Sequence, residues 1–323
     1  MKAAIIGEHG VEVGDVAKPE PQPNEVLTKT VACGLNRADV LMAAGAFGGV
    51  SSGSGTVVGM EWAGQVESVG ADVKNFSPGD RVMCAGGGGY AEYAVSDYGR
   101  TMKIPSADIS YEQAATLPIA LQTMHNAIVT RGRLKKGESV LIQGASSGVG
   151  LMAMQIARYM GAGQVFGTSS NEGRRSRLAE FGADAVFDPK DPSWVDAVLA
   201  ATGGEGVDLI VDQVSGPVAN QNLAATRVLG RIVNVGRLGG GMAEFNFDLH
   251  ALRRIEYIGV TFRTRSPEEI RSLVAAVERD LGVAIKEGIL SLPIDKVFAL
   301  SEASSALSYM EANQHFGKIV LKV

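Results

Sequence analysis

The chain has 323 residues, 46% of them hydrophobic and 20% charged, and a net charge of −5. This length and balance predict a globular protein with more than one domain and a sizeable core. The acidic net charge argues against nucleic acid or an anionic membrane as a partner, and two cysteines are too few for a disulfide framework or a four-cysteine zinc lobe.

Targeting and membrane-spanning segments are not expected. Glycine and charge interrupt the short apolar run in MKAAIIGEHGVEVGD, which therefore does not fit a secretion signal. No apolar run approaches the ~18 residues that a bilayer span needs. A cytoplasmic protein without a membrane partner is expected.

Residues 1 to about 118 predict strands joined by turns. Segments such as EVLTKTVACG and AGQVESVG alternate apolar and polar residues or form apolar runs bounded by turn formers. Residues 118–131 are predicted to be helical, and SVLIQG, which follows them, is predicted to be a buried strand.

The middle of the chain alternates helices and strands. A helix with apolar residues at a helical period runs from Val149 to Met160. Further helices, among them RRSRLAEFG at 174–182, then separate the predicted strands QVFGT, AVFD, VDLIVDQV and RIVNVG. This alternation predicts an α/β fold with a doubly wound parallel sheet.

Past about Thr261 the pattern changes again. Ser266 and Pro267 predict the start of a long amphipathic helix, since serine is a favoured N-cap and proline suits the first helical position. The strand IDKVFAL, a short helix in SEASSALSYMEAN and the strand GKIVLKV follow. We expect this tail to pack onto the N-terminal strands.

The turn GASSGVG fits two families of dinucleotide-binding enzymes. Gly144, Gly148 and Gly150 match short-chain dehydrogenases, whereas Ala145, Gly148 and Gly150 match medium-chain reductases. Short-chain enzymes place this turn near the N-terminus and carry a YxxxK helix downstream. Here the turn lies in mid-chain and no later tyrosine precedes a lysine by four positions, so the medium-chain interpretation is favoured.

Several motifs accompany this turn: CGLNRADV, VVGMEWAGQVESVG, SPGDRV, FGAD and HFGKIVLKV. Together they resemble the zinc-independent quinone oxidoreductases of the medium-chain dehydrogenase/reductase superfamily, and GVTFRTRSPEE resembles the p53-inducible-type branch. The resemblance spans essentially the whole chain. It implies a GroES-like β-rich catalytic domain of residues 1–118 and 262–323, a Rossmann-type nucleotide-binding domain of residues 119–261, and a homodimer.

A metal site is not expected. Where zinc-dependent relatives carry a cysteine and a histidine ligand, this chain has Asn36 and Met60, and neither an amide nor a thioether suits Zn²⁺. Without a Lewis acid, alcohol oxidation is difficult. The expected substrate is therefore a good hydride acceptor, either a quinone or an α,β-unsaturated carbonyl.

The expected cofactor is NADPH. An acid after the second strand of the alternation would bind the ribose of NAD, but QVFGT is followed by Ser169 and Ser170, with Arg174 beyond. Ser170 and Arg174 match the positions of the family's serine and phosphate-binding lysine, and a guanidinium can bind a 2′-phosphate in bidentate fashion. The alternative is that these arginines form only a solvated helix face.

The resemblance also assigns site residues. Asn36 and Thr123 are the expected catalytic residues, and Met60 and Phe47 the expected substrate-pocket residues. Phe47 replaces a family tyrosine, which leaves the proton donor open. The residues expected to bind the cofactor are Ala145, Ser147, Gly148, Val149, Gly150, Ser169, Ser170, Arg174, Gln213, Val235, Gly236, Arg237, Phe262, Phe316, Gly317 and Lys318.

The leading hypothesis is a metal-free NADPH:quinone oxidoreductase. One alternative is an enal, enone or enoyl-thioester reductase on the same scaffold. Another is a nucleotide-binding protein without turnover, such as a crystallin-like or RNA-associated relative, although the acidic net charge argues against RNA.

Overall fold

The computed structural model describes residues 1–45 and 53–323. Its strands are, in chain order, β1 (Lys2–Gly7), β2 (Gly10–Asp15), β3 (Glu25–Gly34), β4 (Glu61–Val69), β5 (Arg81–Ala85), β6 (Tyr93–Asp97), β7 (Thr101–Lys103), β8 (Ser139–Gln143), β9 (Gln164–Thr168), β10 (Ala185–Phe187), β11 (Val207–Asp212), β12 (Thr226–Asn234), β13 (Glu256–Gly259), β14 (Ile294–Ala299) and β15 (Lys318–Lys322).

The α-helices are α1 (Arg37–Ala43), α2 (Tyr111–Ala114), α3 (Pro118–His125), α4 (Gly148–Tyr159), α5 (Glu172–Arg175), α6 (Trp194–Ala201), α7 (Ala219–Ala225), α8 (Phe247–Arg253), α9 (Pro267–Lys286) and α10 (Ala303–Glu311). Short 3₁₀ turns lie at Tyr98–Arg100, Leu178–Phe181, Gly216–Val218 and Leu300–Glu302, and a π-helical segment at Asn126–Arg131. Of the helices in the described ranges, none combines the length and apolar character that a bilayer crossing would need.

The described residues divide into two compact units. The first unit comprises Met1–Ile119 and Arg263–Val323, and the second comprises Ala120–Phe262. Each limit falls one residue beyond the predicted domain boundary.

The first unit is built on a β-sheet with the strand order β14-β15-β3-β4-β5-β7, in which β6 also pairs with β3. Strand β15 is antiparallel to β3, with Leu321 opposite Cys33. The C-terminal strand is thus part of the N-terminal sheet, as expected. Trp62 and Tyr90 are fully buried in the core of this unit.

The second unit is built on a parallel sheet with the strand order β10-β9-β8-β11-β12-β13. Its core holds apolar side chains from successive strands, including Leu141, Phe166, Ile210 and Ile232. From β8 the chain moves outward to β9 and β10, then returns to β11 on the other side of β8. Strands β8 and β11 therefore flank a topological switch point, where sheets of this kind bind ligands. The predicted α/β fold class is confirmed.

Some predicted elements differ from the structure. The helix predicted for 118–131 changes from α to π geometry at Asn126. The helix predicted for 174–182 is instead the short α5 and a 3₁₀ turn that ends at Gly182, whose φ is +98°. Helix α8 and strand β13 were not predicted. The predicted helix start at Ser266 is confirmed, because its side chain accepts a hydrogen bond from the backbone N–H of Glu269.

Candidate active site

The turn after β8 leads into the N-terminus of α4, where an anion could bind. Ser147 is the N-cap residue, and its Oγ accepts a hydrogen bond from the backbone N–H of Gly150 at 3.0 Å. The N-terminus of a helix has unpaired N–H groups and a positive dipole end, so it attracts phosphate. This arrangement fits the pyrophosphate of a dinucleotide.

Two glycines make room at this edge of the sheet. A Cβ added at Gly150 would lie 2.6 Å from the carbonyl oxygen of Ala145, so only glycine lets α4 start so close to the turn. A Cβ at Gly236 would lie 2.6 Å from the carbonyl oxygen of Gln213. Side chains at either position would force the backbone apart where the cofactor is expected to bind.

The switch point is bridged by side chains. Ser147 Oγ donates to Gln213 Oε1 at 2.9 Å, and Gln213 Nε2 donates to the carbonyl oxygen of Gln143 at 3.2 Å. On the next strand, the N–H of Val235 donates to the carbonyl oxygen of Asp212 at 2.7 Å. The predicted residues Gln213, Val235, Gly236 and Arg237 all follow the carboxyl ends of β11 and β12, next to the glycine turn.

The end of β9 carries hydroxyls and cations. Ser169 Oγ donates to Ser146 Oγ at 2.9 Å, which ties this end to the glycine turn. Ser170 is exposed. Arg174 lies in the short helix α5, and its backbone N–H donates to Asn171 Oδ1. The Arg175 guanidinium donates to the carbonyl oxygen of Ser169 at 2.7 Å.

A buried charged cluster lies in the first unit. Lys318 forms an ion pair with Glu61, and the two side chains are 4% and 0% exposed. Lys318 Nζ also donates to Asn36 Oδ1 at 3.0 Å, and Asn36 Nδ2 donates to Glu61 Oε1 at 2.8 Å. Two predicted site residues, Asn36 and Lys318, therefore meet around an acid that was not predicted. Lys318 was predicted to bind the cofactor, and its ammonium is directed at these two partners.

A second acid, Asp39, lies beside this cluster and is hydrogen-bonded to the backbone of Asn36. Asp39 Oδ2 accepts hydrogen bonds from the backbone N–H of Asn36 at 2.7 Å and from the Tyr90 hydroxyl at 2.8 Å. Burial raises the pKa of Asp39 to about 7, although these two hydrogen bonds act to lower it. Burial also raises the pKa of Tyr90 well above its usual value.

The remaining predicted residues are placed as follows. Thr123 is half-buried on α3, Met60 directly precedes β4, and Phe262 is half-buried beyond β13. The backbone N–H of Phe316 donates to Asp295 Oδ1 at 3.1 Å, and Gly317 has a φ of +93°. Phe47 lies outside the described residues.

Sequence reasoning missed Glu61 and Asp39 as site residues. The available signal was an acid in the otherwise apolar run VVGMEWAG, since a buried carboxylate needs a charged or hydrogen-bonding partner. The sequence could not identify Lys318 as the partner of Glu61, because the two residues are 257 positions apart. Within residues 1–45 and 53–323, no group of three or more His, Cys, Asp or Glu side chains is placed to hold a metal ion.

Family models match both units. Residues 22–106 match the model described as alcohol dehydrogenase GroES-like domain. Residues 148–279 match the model described as zinc-binding dehydrogenase. The second description names zinc, although position 36 carries an amide and position 60 a thioether.

Individual relatives extend the match to nearly the whole chain. A quinone oxidoreductase of Rattus norvegicus is 32% identical over 310 residues, which cover 95% of this chain and 92% of the relative. A highly reducing polyketide synthase of Alternaria alternata is 31% identical over 96% of this chain, which spans only 12% of that synthase. A mycobacterial structure complexed with NADPH is 26% identical, with a TM-score of 0.87 and all of both chains covered. The chain therefore belongs to the quinone oxidoreductase family of the medium-chain dehydrogenase/reductase superfamily.

Proposed function

We propose that this protein reduces a quinone with NADPH and uses no metal. The similarity to a quinone oxidoreductase over nearly the full length of both chains supports the reaction class. The NADPH in a similar structure supports the cofactor. Bound NADPH would supply a hydride from C4 of its nicotinamide.

The second unit offers binding groups for each charged part of the cofactor. The N-terminus of α4, capped by Ser147, would hold the pyrophosphate. Ser170 and Arg174, beyond the end of β9, would bind the 2′-phosphate. The three residues that follow β9 are Ser169, Ser170 and Asn171, so no carboxylate directly after this strand would repel that phosphate.

The contact between Lys318 and Asn36 is the observation that carries the metal-free proposal. The Asn36 amide oxygen already accepts a hydrogen bond from the buried Lys318 ammonium at 3.0 Å. A divalent cation on that oxygen would face the ammonium at short range inside the protein, where like charges repel strongly. In the proposed reaction Asn36 donates a hydrogen bond to the acceptor carbonyl and stabilises the negative charge that forms on its oxygen.

A panel of acceptors tests this proposal. NADPH oxidation is measured with 1,4-benzoquinone, phenanthrenequinone, a 2-alkenal and an enoyl thioester. We expect turnover of the quinones. Turnover of the unsaturated carbonyls alone would assign the reductase alternative, which uses the same carbonyl hydrogen bond. NADPH binding without turnover of any acceptor would favour the non-catalytic alternative.

We also propose that two copies associate through the second unit. Strand β13 ends the sheet, and within the described residues no strand pairs with its outer edge. Large apolar side chains are exposed nearby, Phe247 at 75% and Leu252 at 73%, both on α8. An open edge beside an apolar patch favours pairing with another chain. Light scattering would give a dimer mass for the wild type and a monomer for Leu252→Glu, with Val283→Glu on α9 as the exposed apolar control.

A further inference from the structure

We infer that Lys318 and Glu61 are positioning residues that fix the orientation of the Asn36 amide and present its second N–H to the acceptor carbonyl. This inference rests on the proposed function for its catalytic consequence. The orientation of the amide itself can be tested without turnover. The inference depends on two contacts, Lys318 Nζ to Asn36 Oδ1 at 3.0 Å and Asn36 Nδ2 to Glu61 Oε1 at 2.8 Å.

The charged pair permits one amide orientation. An ammonium can only donate hydrogen bonds, and a carboxylate can only accept them. Rotating the Asn36 amide by half a turn would place its NH₂ against Lys318 and its oxygen against Glu61. Both hydrogen bonds would then become repulsive contacts. A neutral pair of side chains would tolerate either orientation.

Burial of the charged pair strengthens its preference for one orientation of the Asn36 amide. Both charged side chains are nearly inaccessible, so water does not compete for their hydrogen bonds. A buried ion pair of this kind contributes little net stability compared with apolar residues of the same size. Orienting a neighbouring amide gives the pair a role that apolar side chains could not perform.

The position of Asn36 at the start of α1 also bears on its hydrogen-bond partners. Asn36 is the N-cap residue of α1, where an asparagine side chain usually accepts a hydrogen bond from the helix backbone. Here the Asn36 side-chain oxygen accepts a hydrogen bond from Lys318 Nζ, and its NH₂ group donates to Glu61. The carboxylate of Asp39 accepts from the backbone N–H of Asn36 and so holds the start of the helix. The Asn36 side chain is thus engaged with residues outside α1.

One donor of the amide is left for a ligand. The Asn36 NH₂ group has two N–H bonds, and Glu61 accepts one of them. Within the described residues, Glu61 is the acceptor to which this nitrogen donates. Asn36 is half-buried while both of its partners are buried. The second N–H is the donor that we assign to the acceptor carbonyl.

The first test measures the NMR signals of the Asn36 side-chain amide in protein without cofactor. Selective ¹⁵N labelling of asparagine gives the side-chain signals of Asn36, assigned by their loss in Asn36→Ala. We expect one downfield proton, from the charge-assisted hydrogen bond to Glu61, that exchanges slowly with water. The Glu61→Gln/Lys318→Met variant keeps the site neutral and should lose both properties. Glu138→Gln, which neutralises one side of the Arg231–Glu138 ion pair in the second unit, should change neither.

The second test is a double-mutant cycle on turnover. If the pair acts through Asn36, Glu61→Gln/Lys318→Met should lower kcat at saturating NADPH at least about tenfold. The same double substitution in an Asn36→Ala background should lower kcat less than about twofold. Glu138→Gln again serves as the control, with kcat unchanged.

The two tests separate the inference from the proposed function. Equal losses of kcat in both backgrounds, or Asn36 signals that the double substitution does not move, would overturn the positioning role. If the wild type reduces no quinone, the proposed function fails, and the Asn36 signals still decide whether the ion pair orients the amide.

Discussion

Ser147 Oγ donates a hydrogen bond to Gln213 Oε1 at 2.9 Å, which joins the turn after β8 to the residue that follows β11. The same oxygen accepts from the backbone N–H of Gly150 at 3.0 Å. One hydroxyl thus caps α4 and fixes the distance across the switch point of the sheet. The N-terminus of α4, which we propose to bind the pyrophosphate, is thus held by protein contacts alone.

Ser147→Ala should weaken both stability and cofactor binding. Loss of an N-cap costs about 1 kcal/mol of unfolding free energy, and we expect NADPH to bind about three- to tenfold more weakly because the helix N-terminus is less well fixed. Chemical denaturation and calorimetric titration measure the two effects. Ser266→Ala removes the equivalent cap from α9 and should cost similar stability with no change in NADPH affinity. Equal effects of both substitutions on affinity would contradict this role of Ser147.

Gly150→Ala should be far more damaging than alanine at another helical glycine. Its Cβ would lie 2.6 Å from the carbonyl oxygen of Ala145, so the turn must move. We expect a loss of about 1–3 kcal/mol in unfolding free energy and at least about tenfold weaker NADPH binding. At Gly282 in α9 a Cβ meets nothing within 4 Å, and alanine there should stabilise the protein by about 0.5–1 kcal/mol. Normal NADPH binding by Gly150→Ala would exclude the glycine turn as the pyrophosphate site.

Arg174→Ala should change the preference between cofactors. Losing a charge-assisted contact to the 2′-phosphate should weaken NADPH about 10- to 100-fold and leave NADH within about twofold. Arg177→Ala removes the same charge from a residue paired with Glu180 and should leave both affinities unchanged. Fluorescence titration of each variant with both nucleotides gives the ratio, and equal losses for NADPH and NADH would contradict the assignment.

Asp39 should make stability depend on pH. Its pKa is about 7 in the folded protein and about 3.9 in an unfolded chain, so the folded state binds the extra proton between these values. The stability from this proton is complete below about pH 4 and is lost as pH rises through 7.

Asp39→Asn tests this contribution, because its amide oxygen can still accept from Asn36 and Tyr90. The unfolding free energy of the wild type relative to this variant should fall by about 2–3 kcal/mol between about pH 5 and pH 8. Urea unfolding at both pH values measures the difference. Parallel pH profiles would show that Asp39 is ionised in the folded protein at low pH.

The sequence predicted the fold best where local pattern and tertiary packing agree. The glycine turn, the alternation from residue 139 to 236 and the Ser266 cap are all local signals, and the structure contains them, with the helix predicted for 174–182 reduced to α5 and a 3₁₀ turn. Helix α8 had one local signal, the N-cap residue Asn246, but it lies in a stretch without clear periodicity. The helix ends at Arg254 with a φ of +51°, a position where glycine or asparagine would have given a signal. The π-helical segment at Asn126–Arg131 has no such signal, since the change of hydrogen bonding leaves the apolar pattern intact.

The sequence identified individual site residues, but it did not predict the contacts between them. Asn36 and Lys318 were both singled out, each for a role toward a ligand. Their contact, and the acid that joins them, depend on β15 pairing with β3 and β3 with β4. Such pairing joins positions far apart in the chain, and a single sequence carries no local sign of it.

Metal-free hydride transfer to a quinone is best tested by turnover of 1,4-benzoquinone in metal-analysed, chelator-treated protein, with NADPH deuterated at the transferred C4 position. We expect full activity with less than about a tenth of a metal ion per chain, and a primary deuterium isotope effect on quinone reduction. A stoichiometric metal ion whose removal abolishes activity, or the absence of NADPH oxidation with any quinone, would rule out metal-free quinone reduction by this protein.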